Sequence, residues 1–97
     1  MLFMVIERFK NADPKPVYRH LRDQGRGLPD GLRYVASWIE PNFDRCFQVM
    51  ECDDARLLQE WVLHWREHAT FEIVPVVTSA ETRALVEKHL GAPEGRR

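Results

Sequence analysis

The sequence predicts an α+β domain in the order βαββαβ, with an antiparallel sheet and a short C-terminal helix. Three observations predict it. Four segments are rich in branched and aromatic residues and are bounded by turn formers, as strands are. Two stretches between them carry apolar residues at helical spacing. Only the second and third strand segments are joined by a connection of hairpin length, and the other joins contain a helix.

The first strand is Leu2 to Phe9 (LFMVIERF), ended by Asn11, Ala12, Asp13 and Pro14. Asp13 is a good N-cap and Pro14 a good first helical residue. Val17, Leu21, Gln24 and Leu28 then recur at helical spacing. Gly25, Gly27 and Pro29 weaken the end of this helix, and Asp30 with Gly31 signals a turn. Leu32 to Glu40 (LRYVASWIE) is the second strand and Arg45 to Cys52 (RCFQVMEC) the third, joined through Pro41 to Asp44. Asp53 and Asp54 open the next helix, in which Leu58, Trp61, Val62 and Trp65 give the clearest helical period in the chain. These four side chains are expected to face the sheet. Thr70 to Val77 (TFEIVPVV) is the fourth strand. Pro75 removes a ladder donor there, so the strand is expected to lie at an edge, or to end or bulge at that residue. Thr78 and Glu81 have the spacing of a capping box, and the helix they open runs to Gly91. The expected organisation is one domain over residues 1–91 and a flexible tail over 92–97.

Strand, helix, hairpin, helix, strand is the split βαβ pattern of a ferredoxin-like fold, with both main helices on one sheet face. By alternation, Met4 and Ile6, Phe47 and Val49, and Phe71 and Ile73 suit the helix side. The opposite sets are Phe3, Val5 and Glu7; Cys46, Gln48 and Met50; and Glu72, Val74 and Val76. In the second strand, alternation does not decide between Tyr34, Ala36, Trp38 and Val35, Ser37, Ile39. The second face is too apolar for a solvated sheet, so another sheet is expected to pack on it.

Composition narrows the partners. In 97 residues, 14 basic side chains balance 15 acidic ones, interspersed along the chain. That gives no electrostatic reason to expect nucleic acid or an anionic membrane. No apolar run approaches the roughly 20 residues of a spanning helix. The opening segment reaches Glu7 without a basic leader and does not read as a secretory signal, so the expected location is the cytoplasm. Cys46 and Cys52 lie along one strand-like run, too far apart to bond each other, and read as free thiols.

Met1 to Lys10, the Ala36-Ser37-Trp38 step, Arg45 to Cys52, and Phe71 to Glu81 together resemble a family of short, uncharacterised bacterial proteins grouped with the dimeric α+β barrel superfamily. The resemblance implies that two ferredoxin-like subunits pair sheet to sheet, forming a homodimeric barrel with a pocket in each subunit. Relatives in that superfamily include cofactor-free monooxygenases, isomerases and haem enzymes. No proximal haem ligand is marked here, and no cofactor is expected.

His64, Glu67 and His68 match the H-x-x-E-H pattern of inverted zinc peptidases. The chain is short for a peptidase and offers no third ligand, so the histidines read as helix-end residues favoured by the dipole, and no metal is expected. Gly25, Arg26, Gly27 and Gly31 follow a helix instead of a strand, so they read as helix termination and not as a phosphate loop. Cys46 reads as a structural thiol, and Trp61 and Trp65 as core.

The candidate ligand site is Glu7, Gln48 and Glu72 with Trp38 or Ser37, all assigned by alternation to the face away from the helices. Polar groups on an apolar wall need partners, and convergent polar groups in an apolar cavity are the makeup of a ligand site. The competing reading pairs them across a dimer or with Arg8, Arg33 or Arg45. Three functions follow: a homodimer binding a small, partly apolar organic molecule; a cofactor-free oxygenase or isomerase with Glu7 or Glu72 as base; or an association domain with a filled barrel.

Overall fold

Runs of branched and aromatic residues make four strands, and the interruptions between them fix where each ends. The computed structural model describes residues 1–92, with β1 (Leu2–Phe9), α1 (Lys15–Gln24), β2 (Arg33–Ile39), β3 (Arg45–Glu51), α2 (Arg56–Trp65), β4 (Ala69–Val76) and α3 (Ser79–Glu87). Of the expected tail, all but Ala92 lies outside the described residues. After β1 the chain kinks through Asn11 and Ala12, both at positive φ. Asp13 Oδ1 then accepts the Lys15 N–H at 3.0 Å and caps α1. Gly25, at φ 76°, ends that helix with its N–H on the Leu21 carbonyl at 2.9 Å. Asp54 accepts the Arg56 N–H at 2.9 Å to start α2, and Thr78 Oγ1 accepts the Glu81 N–H at 3.1 Å to start α3.

The sheet order is β2-β3-β1-β4, every neighbouring pair antiparallel. This is the ferredoxin-like α+β arrangement: β3 lies between β1 and β2, and β4, with Pro75, lies at an edge as its sequence allows. Leu58, Trp61 and Trp65 are buried against the sheet, and Val62 packs at the border of the same core with Val17 and Leu21 of α1.

The faces of β1 and β3 are the reverse of the expectation. Phe71 and Ile73 do pack with the helices, but directly opposite them stand Glu7 and Val5. Cross-strand partners share a face, so Phe3, Val5 and Glu7 lie under the helices, with Cys46, Gln48 and Met50 beside them. Met4, Ile6, Phe47 and Val49 line the open face, where they remain only partly buried. Alternation could not separate these sets because both are apolar. What separates them is the ladder: with Phe71 and Ile73 under the helices, their partners Glu7 and Val5 must share that face. A bulge at Val35 explains why neither reading of β2 was right. Tyr34 opposes Met50, Ser37 opposes Gln48 and Ile39 opposes Cys46, so Tyr34, Ser37 and Ile39 lie on the helix side. Ala36 and Trp38 fall on the open face.

Beyond β4 the chain leaves this core. Every residue from Val77 to Ala92 is exposed, including Leu85, Val86 and Leu90 on and after α3. The molecule is correspondingly long, 61 × 32 × 18 Å. Among the described residues no helix is long and apolar enough to cross a membrane.

Candidate functional site

Between the sheet and the two main helices lies a cavity of about 210 Å³. Its apolar wall includes Phe9, Val17, Leu21, Ile39, Met50 and the two indoles of α2, and its polar groups are Glu7, Tyr18, Arg26, Ser37, Cys46 and Gln48. The register of β1, β2 and β3 sets four of these side by side: Glu7 opposes Cys46, and Gln48 opposes Ser37.

Glu7 is 6 % exposed, and its Oε2 accepts a hydrogen bond from Gln48 Nε2 at 2.8 Å. Burial pushes its carboxyl up to about 7, against a smaller opposing effect of the Gln48 bond and the positive charge of Arg26. The nearby arginines are taken: Arg8 pairs with Asp44, Arg33 with Glu51 and Arg45 with Glu40. None of them reaches Glu7. The Cys46 thiol is pushed up to about 12 by burial and by the Glu7 charge, so it stays protonated and inert, consistent with a structural thiol. Burial, Cys46 and Glu7 raise the Tyr18 phenol as well.

Arg26 reaches the cavity through local chain geometry. Gly25 and Gly27, at φ 76° and 67°, turn the chain on either side of it. The Arg26 carbonyl accepts both α2 indole N–H groups, from Trp61 at 3.0 Å and Trp65 at 2.9 Å. Its guanidinium lies 3.7 Å from the centroid of the Tyr34 ring. Among the described residues this guanidinium joins no ion pair. The Gly-Arg-Gly segment therefore terminates a helix, as expected, and also positions a charge. By sequence Arg26 reads only as part of a helix terminus and Tyr18 has no site role; two glycines flanking one arginine are the available signal.

The structure divides the predicted site residues. Glu7 and Gln48 meet under the helices, with Ser37 lining the same cavity. Trp38 and Glu72 stand exposed on the other face, where Trp38 opposes Phe47 and Glu72 opposes Ile6. The four do not share a face, because Glu72 is one residue out of step with Phe71, the partner of Glu7. The histidine pattern is also broken up. Helix α2 stops at Trp65, so His68 leaves the helical line of His64, and its ring lies 5.8 Å from that of His20.

Fold and cavity together define an antiparallel ferredoxin-like α+β domain with a mostly apolar pocket between its sheet and helices. Residues 1–90 match the family described as a domain of unknown function, DUF3303, and the chain belongs to that family. No curated protein and no solved structure matches it.

Proposed function

We propose that this protein binds a small, partly apolar organic molecule in the cavity between sheet and helices, held at its polar end by Glu7. One observation carries the reading: a buried carboxyl with a single donor among the described residues, facing an apolar cavity large enough for a compact organic molecule. Fluorescence tests it, because Trp61 and Trp65 line the cavity. In a Trp38→Phe background, phenylpyruvate and phenylacetone are expected to quench the emission saturably. Cys46→Leu, which grows an apolar side chain into the space, should abolish the quenching while far-ultraviolet dichroism is unchanged. Equal quenching in the filled variant would place the probe elsewhere and reject the site.

We also propose that a second copy covers the open sheet face, giving a homodimer. Met4, Ile6, Phe47 and Val49 are only partly buried there, Val74 is 37 % exposed and Trp38 is 60 % exposed. A contiguous apolar sheet face of this kind marks an interaction surface. Light scattering at micromolar concentration is expected to give twice the chain mass, and Phe47→Glu to give the monomer. A wild-type monomer refutes the pairing.

A further inference from the structure

Resting on the ligand reading above, we propose that the cavity catalyses proton transfer on a small carbonyl compound with an acidic α C–H, Glu7 acting as the base and Arg26 facing the enolate oxygen. Such a reaction needs a carboxylate that water does not quench, a positive charge for the oxygen, and apolar walls around the reacting carbon. All three line one cavity here.

Glu7 Oε2 is occupied by Gln48, whereas Oε1 has no protein donor among the described residues. No fully buried side-chain oxygen or nitrogen of the described chain lacks a partner, so Oε1 opens on the cavity. Gln48 is thus a positioning residue that fixes the carboxyl plane and leaves one oxygen for a ligand. Arg26 is close enough to lower the Glu7, Tyr18 and Cys46 ionisations by its charge, yet it is not ion-paired with Glu7 or with any other described carboxylate. A base and a cation that share a cavity without neutralising each other leave room for a substrate that uses both. A carbonyl compound does so, offering its C–H to one and its oxygen to the other.

The step balances without a co-reactant. Glu7 Oε1 takes the α proton, the C–H electron pair becomes the C=C bond, and the carbonyl π pair moves onto oxygen beside Arg26. The protonated Glu7 returns the proton to the same carbon, giving exchange, or to a conjugated carbon or the oxygen, giving an isomer. A base that titrates near neutrality suits this task, since it is ionised at working pH and its conjugate acid still releases the proton.

The test follows α-proton exchange of phenylacetone and phenylpyruvate in D₂O by NMR, alongside the fluorescence titration. Wild type should accelerate exchange over buffer, with a rate rising through the ionisation of Glu7. Glu7→Gln should lower the enzyme-dependent rate by about 100-fold or more. Arg26→Met should slow exchange of the neutral ketone while leaving its fluorescence quenching in place. If the probes quench the emission but exchange no faster than in buffer, or if Glu7→Gln exchanges as fast as wild type, proton transfer is overturned and the ligand reading stands. If neither probe quenches, both readings fall.

Discussion

Replacing Glu7 by Gln probes the cavity through stability alone, whatever the ligand. In the folded chain the carboxyl titrates at about 7, against an ordinary value of 4.5. The folded state therefore binds more protons than the unfolded chain between these two pH values, and stability must fall as pH rises through that window. Below about pH 4.5 both states are protonated and the full stability is present. Above about pH 7 both are ionised and the loss is complete. At about 1.4 kcal/mol per pH unit, the two and a half units between these values amount to about 3.5 kcal/mol. Glutamine keeps the shape and still accepts the Gln48 hydrogen bond, but carries no charge to desolvate. Glu7→Gln should thus match wild type near pH 4.5 and exceed it by up to about 3.5 kcal/mol at pH 8. Urea unfolding of both proteins at one concentration, at half-unit pH intervals, measures this. Contributions of every group other than residue 7 cancel in the difference between the two curves. Two parallel pH profiles would refute a dry Glu7.

Trp61→Ala should cost about 3–5 kcal/mol in the same assay, as a large-to-small change at a side chain only 3 % exposed; a loss under about 1 kcal/mol would show that α2 does not pack as described. Gly27→Ala should cost about 1 kcal/mol, because its added Cβ meets only ordinary contacts near 3.8 Å but is held at φ 67°. Unchanged stability there would mean that the loop carrying Arg26 relaxes. Truncation after Val77 should leave the circular dichroism of the sheet and the wild-type Glu7-dependent pH profile intact, since every described residue removed is exposed; loss of that profile would show α3 supporting the cavity.

How far the sequence could be read depended on whether a pattern had contrast. Trp61 and Trp65 repeat at helical spacing between exposed residues such as Glu60 and His64, so the buried stripe of α2 was plain. Pro75 placed β4 at an edge because a missing donor has few other positions in a sheet. In β1 and β3 the contrast vanished. Met4 and Ile6 are as apolar as Phe3 and Val5, and choosing a face from alternation became arbitrary.

The strands of one sheet do not choose their faces independently. Four strands in one sheet have two faces between them, and a hydrogen-bonded register couples the choices. Once Phe71 is placed under the helices, its partner Glu7 must go there too, followed by Cys46 across the next ladder and Ile39 beyond it. Only the bulge at Val35 interrupts that chain of constraint, and it lies beyond the cavity. A glutamate and a glutamine next to each other in the sheet therefore had two possible fates, open to a second sheet or covered by two helices. These are chemically different. On an interface the pair would meet another chain and water. Beneath α1 and α2 it meets indoles, a thiol that stays protonated and a guanidinium that joins no ion pair among the described residues. The register thus turns the same residues from a candidate contact surface into a titrating group inside a cavity. It also leaves Trp38, Phe47, Ile6 and Met4 on the open face, which separates the surface available for association from the volume available for chemistry.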